Sequence, residues 1–288
     1  MSKRALPDPR RHAYRGDLAS EALRGQVEAP RYIQGELRQV TAPVLPLRRE
    51  PRFDSTLDTE ALFGESVTVY DESEGWAWVQ IVRDSYVGYM PSQGLGRRIV
   101  PPTHRIAALR TYIFPQPDSK SPPLALLSLN ALISASGMDG KFLALASGGF
   151  VYAPHVVPVG ETAADFVAVA EAFLGTPYLW GGRTSVGLDC SGLVQLAAEA
   201  AGIVVPRDAD MQAAEIGERV ESPRLRRGDL VFWEGHVGIM TSGKDFLHAN
   251  AHHMAVELEP FAQAKDRIKA AGYDVLCVRR LSGRPKSR

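Results

Sequence analysis

Cysteine is scarce in this 288-residue chain, with only Cys190 and Cys277 present. Two thiols cannot build a disulfide framework or a cysteine-rich metal site, so a reducing, cytoplasmic setting is expected. Long apolar runs are missing too, and nothing approaches the roughly 20 residues a spanning helix needs. The basic residues within 1–9 are not followed by an apolar stretch, so no secretory signal is expected there. Net charge is absent: 33 Lys plus Arg balance 33 Asp plus Glu. A chain that holds nucleic acid by neutralising phosphates carries a basic excess, so that partner class is disfavoured. Positive charge gathers at the ends, at Lys3, Arg4, Arg10, Arg11 and Arg15 and at Arg279, Arg280, Arg284, Lys286 and Arg288. Solvated termini are the expectation there.

What is present suits a globular protein of two or three domains, with 45% apolar and 23% charged residues. Residues 1–41 are rich in Arg and Pro and read as an arm. Leu18, Ala22, Leu23 and Val27 recur at helical spacing behind Asp17, which predicts one short capped helix. From 42 to 98 the signals are short alternating strands, at 67–70, 76–81 and 86–90, with 71–75 as a turn. Such spacing predicts a small barrel. The pattern returns after a shift of about 65 residues, the mark of a repeat. Gly75-Trp76-Ala77-Trp78-Val79 is echoed by Gly140-Lys141-Phe142-Leu143-Ala144, and Tyr86-Val87-Gly88-Tyr89-Met90-Pro91 by Phe150-Val151-Tyr152-Ala153-Pro154. A second barrel over 103–157 is therefore expected, joined through Val100-Pro101-Pro102, and the pair resembles bacterial SH3 domains.

The texture changes after Val157-Pro158-Val159-Gly160. Helix patterns at 163–174, with Thr162 as cap, and at 191–201 precede strand patterns at 229–233, 236–241, 246–249 and 275–279. Helices first and strands afterwards predict an α+β domain over 160–282. Its chemical signal is Leu188-Asp189-Cys190-Ser191-Gly192, which puts Cys190 at the first turn of a helix. Unpaired N–H groups and the positive end of the helix dipole lie there and favour a thiolate. Cys277 sits in an apolar strand and reads as core. Gly235-His236-Val237-Gly238 places a histidine at a strand start, within reach of a cleft. His248 on the next strand could hold the far nitrogen of His236 and fix its tautomer. A metal is not expected: His248, His252 and His253 are spaced by four and five and lack a completing ligand.

Pro177-Tyr178-Leu179-Trp180-Gly181-Gly182, Asp189-Cys190-Ser191-Gly192-Leu193, Pro206-Arg207-Asp208, Arg227-Gly228-Asp229-Leu230-Val231-Phe232 and Gly235-His236-Val237-Gly238-Ile239 together resemble the NlpC/p60 family. The resemblance covers about residues 160–280. It implies a papain-like fold, Cys190, His236 and His248 as catalytic triad, and Tyr178 as a hydroxyl that helps hold the oxyanion. It implies no cofactor, and cleavage beside D-glutamate in peptidoglycan stem peptides. Two barrels ahead of such a domain resemble the γ-D-glutamyl-L-diamino acid endopeptidase branch. There the first barrel closes one end of the cleft, and a free N-terminal L-alanine is required. Glu65 and Tyr86 map onto that branch's barrel residues, and Asp189, Ser191 and Asp208 onto the remainder of its substrate pocket. A small muropeptide from wall recycling is then the expected substrate. Ala209 stands where relatives often carry a hydroxyl residue, which puts one substrate contact in question. The rival readings are an exported wall-remodelling hydrolase and a non-catalytic peptide-binding protein. No sequence feature fixes an oligomeric state.

Overall fold

A computed structural model describes residues 6–221 and 224–281. Lys3, Arg4, Arg284, Lys286 and Arg288, singled out as terminal charges, lie outside the described residues. The chain divides into two compact units. One holds Met1–Ile106, Thr111–Leu127 and Ala131–Val156, and the other holds Ala107–Arg110, Ser128–Asn130 and Val157–Arg288.

In the first unit the arm does not form the expected helix. Tyr14–Arg15, Leu18–Ser20 and Tyr32–Ile33 make a three-stranded sheet, followed after Leu18–Ser20 by a 3-10 turn at Glu21–Leu23. Leu18 and Ala13 pack on Trp78, so burial on the barrel overrides a helical spacing of only four apolar residues. The barrel itself is one seven-stranded sheet. Its spatial order is Leu95–Gly96, Glu36–Val40, Ser66–Ser73, Trp76–Ile81, Val87–Pro91, Val44–Arg48 and Leu57–Leu62. Inward positions Val67, Val69, Ala77, Val79 and Ile81 fill its core. The turn expected at 71–75 is tighter than its polar composition suggested: the ladder runs to Ser73 opposite Trp76. Glu74 and Gly75 make the reversal with φ of 52° and 80°, the left-handed pair that suits the strands' twist.

The following strands repeat that order. Ala125–Ser128, Arg110–Phe114, Phe150–Tyr152, Phe142–Leu145 and Ala135–Asp139 form a five-stranded sheet, and His104–Ile106 pairs with Val156–Pro158 beside it. Each set places a 3-10 turn before its last strand, at Ser92–Gly94 and Ala153–His155.

The second unit is the expected α+β domain. Helices α1 (Phe166–Glu171), α2 (Cys190–Ala200) and α3 (Ala209–Glu215) precede most of a six-stranded sheet, and α4 (Phe261–Ala270) falls before its final strand. The sheet order is Glu218–Arg219, Cys277–Arg280, Asp229–Trp233, His236–Met240, Asp245–Asn250 and Ala255–Pro260. Helix α1 is shorter than expected because Asp165, rather than Thr162, caps it: its carboxylate accepts from Val167 N at 2.8 Å. Helix α2 is buried on nearly every side, with only Glu199 half-exposed, so it is a core helix. It packs against the strands His236–Met240 and Asp245–Asn250. Val231, Trp233, Met240, Phe246 and Ala264 form a further core cluster, with Phe261 and Ile268 of α4 against it. Asn130 joins this unit by donating from Nδ2 to the Leu196 carbonyl, 3.0 Å away. Cys277 is half-buried rather than core, on a strand whose residues are all only partly covered. No helix among the described residues is long and apolar enough to cross a membrane.

Candidate active site

The start of α2 carries Cys190. Asp189 is its N-cap and accepts from Gly192 N at 2.7 Å. The same carboxylate accepts from Gly181 N at 2.9 Å and from the Ser191 hydroxyl at 3.2 Å. Arg207 grips it with two nitrogens at 2.9 and 2.7 Å and also donates to Ser191 Oγ at 2.8 Å. These contacts fill the roughly four lone-pair sites of a carboxylate. Asp189 thus organises the loop on one side of Cys190 and the helix on the other. Arg207 is a partner of this carboxylate that the sequence left unassigned. Asp208 is the half-buried residue at the start of α3.

His236 begins the strand next to α2. Cys190 Sγ lies 4.0 Å from the Gly235 carbonyl oxygen, and the Val237 N–H faces the sulfur. The residues on both sides of His236 therefore touch the nucleophile. Tyr178 is half-buried. Its hydroxyl is held well above the ordinary phenol range, first by burial and then by the Cys190 and Asp189 charges, so it stays protonated and can donate.

The resting electrostatics differ from the sequence expectation of a preformed thiolate. Burial pushes the Cys190 thiol up to about 12, Asp189 adds to this, and Arg207 and the Val237 and Ser191 N–H groups oppose it. Burial pulls His236 down to about 3, with His248 the next cause. Desolvation thus opposes the helix start and disfavours the charged form of both groups.

Behind His236 runs a chain of polar contacts. His236 Nε2 lies 2.8 Å from His248 Nδ1, and His248 Nε2 lies 2.8 Å from Glu259 Oε1. Arg267 of α4 holds both oxygens of Glu259, with Nη1 to Oε2 at 2.7 Å. Burial pulls His248 down to about 4. Glu259 lies down at about 2, where the Arg267 and His248 hydrogen bonds outweigh burial. Gly238 makes this arrangement possible. A Cβ there would meet the Phe246 ring at 2.2 Å and His248 Cβ at 2.8 Å. A cleft of about 400 Å³ lies beside the pair, lined by Trp233, His236, His248, Asn250, Arg267 and Tyr273 among others.

Glu259 and Arg267 are the residues that sequence reasoning missed. The available signal was the alternation Val256-Glu257-Leu258-Glu259, which continues the sheet: Phe246 pairs with Glu259 and His248 with Glu257. Glu259 then meets His248 as a diagonal neighbour on one face. Among the described residues one group could converge on a metal, His248, His253 and Glu259, with ligand atoms within 4.8 Å of one another. The Arg267 guanidinium on Glu259 sets a positive charge beside them, which opposes a cation.

Glu65 and Tyr86 belong to the first unit. Both are 4% exposed. Glu65 accepts from Leu62 N at 3.0 Å and pairs with Arg83 at 2.8 Å. The Tyr86 N–H donates to Asp84 at 3.1 Å.

Family models match in two places: the bacterial dipeptidyl-peptidase Sh3 domain over residues 47–95 and the NlpC/P60 family over 175–268. The γ-D-glutamyl-L-lysine dipeptidyl-peptidase of Bacillus subtilis is 30% identical over 230 residues, spanning 71% of this chain and 76% of the relative. The protein of the same name from Bacillus cereus is 27% identical over 236 residues, 71% of this chain and 70% of that one. In fold, the chain is similar to the crystal structure of a NlpC/P60 family protein from Bacillus cereus. The TM-score is 0.71 at 22% identity, covering 85% of this chain and 99% of that one. With a cysteine at a helix start, the backbone on either side of His236 against its sulfur and these matches, the chain belongs to the NlpC/P60 family of cysteine peptidases.

Proposed function

We infer that this peptidase hydrolyses the amide between γ-D-glutamate and the diamino acid of peptidoglycan stem peptides. We further infer that it acts on small recycled muropeptides with a free N-terminal L-alanine, in a reducing cytoplasmic compartment. The observation that carries the reading is the bracket around Cys190 Sγ by Gly235 O and Val237 N, in a chain similar to two γ-D-glutamyl-L-lysine dipeptidyl-peptidases. His236 takes the thiol proton as sulfur attacks the γ-glutamyl carbonyl. The Tyr178 hydroxyl and the Cys190 N–H, one of the unpaired donors of a helix start, stabilise the oxyanion. The C–N bond breaks as the proton passes from His236 to the departing amine, and water then hydrolyses the thioester. Both cysteines are free, in keeping with a reducing compartment.

The test is incubation with L-Ala-γ-D-Glu-diaminopimelate, its lysine counterpart and the N-acetylated form of each. Release of the free diamino acid is expected from the first two, with about 10- to 10²-fold slower release from the acetylated forms. An acyl group removes a charge-assisted hydrogen bond worth about 1.5–3 kcal/mol. Equal rates on the acetylated forms remove the free-amine requirement. Failure on all of them, in protein whose Cys190 is alkylated normally, removes the substrate class.

A further inference from the structure

The geometry points to Glu259, held by Arg267, as the residue that sets the proton positions of the catalytic histidines, extending the triad by a carboxylate it is not assigned. The inference rests on the peptidase reading above and concerns how that site is primed.

The argument follows the donors and acceptors along the chain. Arg267 carries donors only, and it occupies both oxygens of Glu259. A carboxylate clamped in this way stays ionised and can only accept. His248 Nε2, 2.8 Å from Glu259 Oε1, must therefore carry the proton. A neutral imidazole has one N–H, so His248 Nδ1 is left as a lone pair. His236 Nε2 lies 2.8 Å from that lone pair and must carry its own proton there. His236 Nδ1 is then the unprotonated nitrogen, ready to accept a proton from a thiol. Reversing His248 alone would set N–H against N–H and leave the Glu259 acceptor unused, and reversing His236 alone would set two lone pairs against each other.

The device also answers the weakness of a histidine as third member. An imidazole supplies no negative charge to steady the imidazolium formed on His236. Glu259 supplies that charge one ring further away, and Arg267 keeps it from being quenched by protonation. The His248 ring is 1% exposed at its side chain and Glu259 9%, so water does not compete for these contacts. Glu259 is thus a positioning residue: it acts through His248 and touches no reacting atom.

The experiment uses the full chain labelled with ¹⁵N at its seven histidines, with long-range proton–nitrogen correlation spectra at neutral pH. His236 and His248 variants identify the signals. Both rings are expected as the Nε2–H tautomer in the parent protein. In Glu259→Leu the His236 ring is expected to show mixed tautomers, with kcat on the tripeptide substrates down about 10²-fold and KM within about 3-fold. This is milder than the roughly 10⁴-fold loss when a carboxylate bonded directly to a catalytic histidine is made an amide. In Glu259→Gln the amide oxygen still accepts, so the tautomers stay while kcat falls about 10-fold. This variant carries the test if the leucine chain does not fold. Unchanged tautomers in folded Glu259→Leu, or full kcat in Glu259→Gln, would overturn the assignment. If the parent protein cleaves none of the tripeptide substrates, the substrate reading fails while the spectra still decide the role of Glu259.

Discussion

Two arginine–carboxylate pairs support the two reacting groups, and they are built for different tasks. Asp189–Arg207 stands behind the nucleophile with both side chains nearly sealed, 10% and 1% exposed. Its contacts go to backbone N–H groups and to Ser191, so it shapes chain geometry. Glu259–Arg267 stands behind the base with the arginine 28% exposed, and its contact goes to an imidazole. The first pair fixes where atoms are, and the second fixes where protons are. The same chemistry thus serves the fold at one end of the site and the reaction at the other.

Breaking each pair from its arginine side should separate these roles. Arg207→Met leaves a buried carboxylate without its counter-charge, which costs about 3–5 kcal/mol. The melting temperature is expected to fall by roughly 10 °C or more. Arg267→Met should move it by less, because Arg267 is itself 28% exposed and His248 still holds Glu259 Oε1, while kcat drops about 10-fold. Scanning calorimetry and steady-state kinetics on the two variants check this, and equal effects on stability would erase the distinction.

Gly238→Ala probes the imidazole end by shape alone. The new methyl group displaces the Phe246 ring or His248, at a cost of about 1–3 kcal/mol for overpacking. Activity should fall by at least 10-fold, since about 1 Å of misplacement costs on the order of 10²-fold. A melting curve and a kinetic assay read both effects.

Acid tests the same end more gently. His236 and His248 are held at about 3 and 4 in the folded chain, below the ordinary 6.5. The unfolded chain therefore binds more protons, and stability falls as pH drops from about 6.5 toward 4. The melting temperature is expected to fall by roughly 5 °C over that window, and by less in a His236→Gln, His248→Gln double variant measured alongside. Glu259, held at about 2, adds its own loss only below about 4.5.

Much of this arrangement was legible in the sequence because its signals are local. The helix start at Asp189-Cys190, the glycine-flanked His236 and the strand carrying His248 are each set by neighbours within a few residues. The two barrel sequences announced themselves through a repeated strand order. What escaped is what the chain assembles from afar. Arg207 reaches Asp189 across 18 residues, and Arg267 reaches Glu259 from α4, a helix the sequence patterns did not anticipate. The arm misled because four apolar residues at helical spacing are too few to nucleate a helix against burial of Leu18 on Trp78. The electrostatics of Cys190 are legible only in part for a related reason: the helix start is visible in sequence, whereas the burial that pushes the thiol up exists only once the chain is packed.

The most direct trial of the account is intact-mass analysis of the protein quenched in acid within milliseconds of mixing with L-Ala-γ-D-Glu-diaminopimelate. A mass gain equal to the L-alanyl-γ-D-glutamyl acyl group, located on Cys190 by peptide mapping and absent in Cys190→Ala, is the predicted result. Turnover that persists in Cys190→Ala, or an acyl group found on Cys277 instead, would contradict it.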